Sequence, residues 1–167
     1  MNAGIRPGAA ADIPVLRSIA HAAWPVAYGS ILSPAQLAYM LELMYSEAAL
    51  REQLEVKGHR FLIAEADGGA LGFAGFEHRH KDRSRTRLHK LYILPEKKGA
   101  GLGALLLAAV EAAARAAGDE AIELNVNRFN PTKDWYLRRG FAIERDEVID
   151  IGHGYVMDDH VMAKLLG

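Results

Sequence analysis

The chain predicts a mixed α/β layer fold with a largely antiparallel sheet. Three observations carry that reading. Apolar residues in the first third recur at helical spacing. From Phe61 onward the period shortens to that of strands. A glycine-rich turn at 98–103 then opens one long helix, which divides three early strands from three later ones.

Composition sets the bounds. A length of 167 residues is one domain's worth, and the half that is hydrophobic is enough for a sizeable core. The 20 Lys+Arg nearly balance the 21 Asp+Glu, for a net charge of -1. That excludes a strongly basic nucleic-acid protein and an acidic disordered tail. With no cysteine, a disulfide framework, a Cys-based zinc site and a catalytic thiol are all ruled out. No apolar run is long enough to span a bilayer and no charged-then-apolar leader opens the chain. The expectation is a soluble cytoplasmic protein with neither a membrane nor a nucleic-acid partner.

Asp12-Ile13-Pro14 reads as a helix start with Asp12 as N-cap, continued by Leu16, Ile19, Ala20 and Ala23. Ser33-Pro34-Ala35-Gln36 is a second start with the capping-box arrangement, and Leu37, Met40, Leu41 and Met44 form its stripe. Ser46 caps a third helix that Gly58 ends. Residues 61–65 and 71–77 make a hairpin around Asp67-Gly68-Gly69. Residues 85–94 read as a strand that Pro95 ends. Strict alternation there puts Leu88, Lys90, Tyr92 and Leu94 on one side and Arg87, His89, Leu91 and Ile93 on the other. Leu102, Leu105, Leu106, Ala109, Val110 and Ala113 share a helical face, and Gly118 stops that helix. A strand at 122–126, a short helix at 131–139 closed by Gly140, and a hairpin of 141–151 with 155–164 complete the order.

Lys98-Gly99-Ala100-Gly101-Leu102-Gly103 joins a strand end to a helix start. Successive N–H groups in such a turn point outward together, and the helix adds free N–H groups and the positive end of its dipole. A phosphate or pyrophosphate is the expected ligand. The P-loop is excluded because Ala104, not Lys, follows Gly103. The dinucleotide fingerprint needs a parallel βαβ unit, against which the antiparallel flanking strands argue.

Leu91-Tyr92-Ile93-Leu94-Pro95-Glu96-Lys97-Lys98-Gly99-Ala100-Gly101-Leu102-Gly103 resembles the signature of the GNAT superfamily of N-acetyltransferases: a strand, Gln/Arg-x-x-Gly-x-Gly/Ala, then a helix. Lys98 stands in place of the usual Gln or Arg. The segment from Asn127 through Asn130, Tyr136 and Gly140-Phe141 resembles the family's Asn…Tyr…Gly-Phe motif, with Lys133 where Ala is frequent. The resemblance implies one GNAT domain over 1–167, with a central sheet of about six to seven strands flanked by helices. It implies a gap between the fourth and fifth strands and acetyl-CoA as cofactor. In similar enzymes the main chain of Leu91, Tyr92 and Ile93 would pair with the pantetheine arm, and the N–H near Ile93 would support the oxyanion. Lys98, Gly99, Ala100, Gly101, Leu102 and Gly103 would hold the pyrophosphate. Asn130 would contact the CoA arm, or is an ordinary helix cap.

Two further roles follow from the resemblance. Tyr136 would protonate the departing CoA thiolate; its bland reading is a core aromatic. His89, titrating near 6.5 and on the same side as Leu91 and Ile93, would take the amine proton directly or through water. Glu77, His78 and His80 are secondary candidates, and each of these is otherwise a solvated surface residue. Lys97, Lys98, Arg138 and Arg139 approach the phosphates or form a basic face. No metal is expected, because alternation splits His153, Asp158, Asp159 and His160 between faces.

The resemblance implies a small-molecule amine as acceptor, attacking directly in a ternary complex. Trp24, Tyr28, Tyr39 and Met40 are candidates to line its pocket. Residues 46–54 and 162–166 are similar to PaiA-type polyamine acetyltransferases, which implies spermidine or spermine. Glu77, Asp150, Asp158 and Asp159 would attract such a polycation. An aminoglycoside or a protein N-terminus stays open, as do a catalytically silent CoA-binding sensor, an unrelated nucleotide-phosphate binder and assembly as a homodimer.

Overall fold

In the computed structural model, which describes residues 2–167, seven strands form one sheet. They are β1 (Gly4–Pro7), β2 (Arg60–Ala66), β3 (Gly69–Glu77), β4 (Arg85–Ile93), β5 (Ala121–Asn127), β6 (Ala142–Gly152) and β7 (Tyr155–Leu165), ordered β1-β2-β3-β4-β5-β7-β6. Every neighbouring pair is antiparallel except β4–β5. The helices are α1 (Ile13–Tyr28), α2 (Pro34–Tyr45), α3 (Glu47–Glu55), α4 (Leu102–Ala116) and α5 (Thr132–Leu137).

Helix α4 covers one face of the sheet. Its buried stripe of Leu102, Leu106, Leu107, Val110 and Ala114 packs in one core with Ala74, Phe76, Leu88, Leu124 and Met162. The other face is covered by α1 to α3, where Leu16, Ile19, Trp24, Leu41, Tyr45 and Leu50 cluster over Phe61, Ile63 and Phe73. Each such side chain removed from water contributes roughly 1.5–3 kcal/mol. The two cores clamp the sheet from opposite sides and leave its middle free to part.

It parts between β4 and β5. Their parallel register runs only from Arg85↔Ala121 to Leu88↔Leu124. Beyond Leu88 the strands diverge, and the rest of β4 has no partner on that side. The divergence starts at a β-bulge: Gly75 pairs with Lys90 but Phe76 pairs with Leu88, so His89 is the extra residue. The bulge corrects the alternation expected from sequence. Leu88 joins Leu91 and Ile93 on the α4 side. Lys90 lies near the Tyr45 and Phe61 rings, 5.3 Å and 6.0 Å from their centroids, on the α1–α3 side. His89 stacks on His59 rather than lying with Leu91 and Ile93.

Local expectations need three more corrections. Strand β1 was not foreseen, because a four-residue edge segment has no alternation to read. Asp12 does not cap α1. It ends a 3-10 turn, accepts the Ala9 N–H at 2.8 Å and pairs with Arg6. Ser33 caps α2 as expected, but Gln36 does not close the box, since its amide donates to the Val156 carbonyl at 3.0 Å.

Lys90 is the costliest burial in the α1–α3 core. It is 6% exposed, and its ammonium donates to Gln53 Oε1 at 2.9 Å. Burial, with a smaller push from Lys57, lowers its pKa to about 8. The folded state therefore gives up its proton before the unfolded chain does, and stability rises between pH 8 and about 10, where the tyrosines begin to ionise in the unfolded chain. The penalty below pH 8 is about 3 kcal/mol. Lys90→Met is expected to raise Tm at pH 7 and to remove that rise, as read by thermal unfolding at pH 7 to 10.

Candidate active site

The strand-to-helix turn is built as a donor cradle. Pro95–Lys97 forms a single 3-10 turn that brings the chain off β4. Gly99 and Gly101 then take φ of +85° and +81°, a conformation in which a Cβ is strained. Lys98 N–H bonds back to Pro95, and Leu105 N–H to Gly101. Between them the N–H groups of residues 99–104 have no acceptor among the described residues. A Cβ built on Gly99 or Gly101 would meet nothing within 4 Å, so the turn is uncovered on that side. Free donors, an uncovered turn and a helix N-terminus fit a diphosphate.

The cradle opens onto a cavity of about 550 Å³ that runs into the β4–β5 gap. The cavity is lined from both sides of the sheet: Leu102 and Leu124 from the α4 side, Ala23, Ala27 and Tyr28 from α1. Of the residues singled out from sequence, Tyr136, His89, Leu91, Tyr92, Ile93, Lys98, Gly99, Gly101, Leu102, Gly103 and Asn130 all line it. Ala100 does not. Lys97 and Arg139 stand at the cradle end, while Arg138 stays outside.

Helix α5 sets Tyr136 into the cavity wall, 7% exposed. Its hydroxyl has no hydrogen-bond partner among the described residues, and burial raises its pKa well above the phenol norm, so it holds its proton. Asn130 Oδ1 accepts the Thr132 N–H at 2.9 Å and so braces the start of α5. Trp135 leans on the first turn of α4, where a Cβ on Gly103 would come within 3.3 Å of its ring. The Arg139 guanidinium lies 3.7 Å from the Trp135 ring centroid.

His89 is held by Glu77. Glu77 Oε1 accepts from His89 Nε2 at 2.7 Å and from His80 Nδ1 at 2.6 Å, and His59 Nε2 lies 3.7 Å away. A carboxylate only accepts, so the His89 proton sits on Nε2 and its Nδ1 lone pair is free. Despite this ion-pair geometry His89 is neutral. Burial pushes its pKa far down, and His59, Lys90 and Arg87 push the same way. This corrects the expected titration near 6.5. The sequence shows no metal-ligand spacing, yet the fold gathers His59, Glu77 and His89 with ligand atoms within 4.8 Å of one another. Donors on two strands and on the residue before a third have no spacing signature. His78 is absorbed elsewhere: its Nδ1 bonds Thr86 Oγ1 at 2.8 Å.

The aromatic candidates divide. Tyr28 lines the cavity, and its hydroxyl shares a 2.9 Å hydrogen bond with that of Tyr92. Trp24 and Met40 are core. Tyr39 bonds the Ile151 carbonyl at 2.6 Å and props the β6–β7 turn. The acidic candidates divide too. Asp158 pairs with Arg128 at 3.1 Å, and Asp150 caps the Gly152 N–H at 2.8 Å. Asp159 lies behind the cavity's Asn125 wall with two acids not anticipated, Glu123 and Glu147, and none of the three lines the cavity. Asn125 Nδ2, at the cavity wall, donates to Asp159 at 3.2 Å and to Glu147 at 3.3 Å. Burial, with Glu147 and Asp158 nearby, raises the Asp159 pKa, and Arg87, 3.5 Å from Glu123, is the main counter-charge. Strand register alone brings these acids to one face.

The acetyltransferase (GNAT) domain profile matches residues 31–156. The chain is 30% identical over 156 residues, covering 93% of it and 98% of the relative, to uncharacterized N-acetyltransferases of Mycobacterium bovis and Mycobacterium tuberculosis. The chain belongs to the GNAT acetyltransferase family. It is an acetyl-CoA-dependent N-acetyltransferase. The PaiA N-acetyltransferase of Thermoplasma acidophilum, solved with coenzyme A, is similar to this GNAT enzyme at TM-score 0.81 and 25% identity over 99% of both chains. A GCN5-related N-acetyltransferase structure from Rhodopseudomonas palustris matches at TM-score 0.84 and 22% identity, over 99% and 96% of the two chains, and shares the fold. No helix among the described residues is long and apolar enough to cross a membrane.

The cradle makes one firm demand. Gly101→Ala forces a side chain into φ +81°, which costs about 1–2 kcal/mol and pushes the turn out of the conformation that aligns its N–H groups. Calorimetric titration is expected to show CoA affinity reduced about tenfold or more.

Proposed function

We propose that this GNAT enzyme acetylates a primary amine of a small polycation of the polyamine class, with Tyr136 as general acid and His89 as general base. The observation that carries the reading is a cavity with free N–H groups of residues 99–104 at one end and, behind its Asn125 wall, a set of carboxylates. Asn125 Nδ2 donates to Asp159 and Glu147, and Glu123 lies two residues before Asn125 on β5. The first suits a diphosphate, the second an alkylammonium chain. The solved PaiA enzyme and the likeness of 46–54 to that group support the same acceptor class.

Acetyl-CoA, when bound, supplies a thioester-activated acetyl group. The chain supplies the rest. Residues 99–104 bind the diphosphate through their N–H groups. The β4 main chain at Leu91, Tyr92 and Ile93, free of a β5 partner, orients the pantetheine arm, and an N–H there stabilises the developing oxyanion. The acidic face holds the distal ammonium groups. An alkylamine with a pKa near 10.4 is mostly protonated at neutral pH, and only its free form attacks. As nitrogen bonds to the carbonyl carbon, its surplus proton passes to His89 Nδ1. As the carbon–sulfur bond breaks, Tyr136 Oη delivers a proton to sulfur. Burial keeps the imidazole neutral and the phenol protonated at the outset; the same burial weakens each as base or acid, a cost that charge developing in the transition state has to offset.

Tyr136→Phe is expected to lower kcat by about 10²-fold or more while CoA binding is preserved, measured by thiol release and calorimetry. Unchanged turnover across pH removes Tyr136 from the mechanism. An acceptor panel of spermidine, spermine, a simple monoamine, an aminoglycoside and N-terminal peptides tests the class. The expected result is highest kcat/KM for the polyamines. The pair Glu147→Gln with Asp159→Asn should raise KM for spermidine roughly tenfold and leave the monoamine unaffected. Preference for the peptides or the aminoglycoside overturns the polyamine assignment.

A further inference from the structure

The three imidazoles around Glu77 exceed what a single base requires. Two of them already crowd one carboxylate oxygen at 2.6 Å and 2.7 Å. The third, His59, is 9% exposed in its side chain and lies over His89 with ring centroids 4.2 Å apart. Its Nδ1 is buried without any partner. Burial lowers the His59 pKa to about 4, so its ring is neutral and keeps one nitrogen lone pair. His59 itself does not line the cavity. The cluster is thus a half-enclosed set of imidazole nitrogens and one carboxylate, drawn from the residue before β2, from β3 and the 3-10 turn after it, and from the β4 bulge.

We propose that His59, Glu77 and His89 form a site for a divalent cation of the zinc class, with His80 orienting the carboxylate, and that the bound cation switches transfer off. Two imidazoles and one carboxylate are a borderline donor set suited to zinc or cobalt. Their ligand atoms lie within 4.8 Å of one another. A tetrahedral zinc, with ligand bonds of about 2.0–2.2 Å, needs them about 3.3 Å apart, so side-chain rotation has to close the 3.7 Å His59–Glu77 gap and lengthen the 2.7 Å His89–Glu77 contact. A solvent molecule takes the fourth position, as in open zinc sites. His80 keeps its hydrogen bond to Glu77, the outer partner that ligating carboxylates usually have. Lys90, next along β4, opposes a second cation nearby, so binding is reversible rather than structural.

The switch follows from the tautomer. With Nε2 on the metal, the His89 proton moves to Nδ1, and the lone pair assigned to the amine proton is gone. The binding part of the inference stands on the cluster alone; the inhibition rests on His89 as base.

The test is a zinc titration of the metal-stripped protein against a chromogenic chelator, followed by transfer assays read as acetylated amine by mass spectrometry, because free CoA thiol binds zinc. One equivalent of zinc bound by the wild type, with affinity weakened about tenfold or more in His59→Gln and again in His80→Ala, supports the site. Cobalt should give visible bands of a tetrahedral complex in the wild type alone. Thermal unfolding of each variant shows whether it is folded. Equal zinc uptake by wild type and a folded His59→Gln, or no uptake at all, overturns it. Zinc should inhibit the wild type and spare His59→Gln. Stoichiometric, His59-dependent binding with full activity overturns the switch and the base assignment of His89 but leaves the metal site standing.

Discussion

The short parallel pairing of β4 with β5 is the constraint on which the rest of the structure depends. Four register pairs hold the strands together and then stop at Leu88↔Leu124. A sheet opened in its middle loses backbone hydrogen bonds that burial makes costly to leave unmade. The cost is tolerable because the opening is a cavity rather than a packed interior, and because the two cores grip β4 and β5 from opposite faces. The bulge at His89 turns β4 away where pairing ends. One extra residue thereby moves the chain off its neighbour and sends a histidine to the face opposite that predicted by simple alternation.

Charge follows the same geometry. The cradle end of the cavity offers N–H groups and the cations Lys97, Lys98 and Arg139, and behind its Asn125 wall lie the carboxylates of Glu147 and Asp159. A near-neutral chain thus carries a strong local separation of sign that its net charge conceals. Two ligands of opposite charge can meet between them without competing for the same surface.

The glycine-rich turn was legible in the sequence because its chemistry is local: contiguous residues build the donors, and glycines mark the positive φ. The helix caps at Ser33 and Ser46 and the stripe of α4 were legible for the same reason. Tyr136 and Asn130 were reached through resemblance, since nothing in a lone Tyr or Asn separates a reacting group from a core residue or a cap. The bulge was invisible because a register slip depends on the partner strand. The Glu77 histidine cluster and the Glu123–Glu147–Asp159 face were invisible because long-range pairing assembles them. The depression of His89 and Lys90 was likewise hidden, since burial is a property of the folded neighbourhood.

Trp135 gives α5 a further significance. Helix α5 has only six residues, too few to persist alone, and its aromatic neighbour rests on the first turn of α4 at Gly103. The phenol proposed as proton donor is thus mortised to the turn proposed to bind the diphosphate. Insertions or deletions in that turn would shift the leaving-group end together with the anchoring end. On that proposal, lineages that tinker with nucleotide affinity there inherit an altered proton donor.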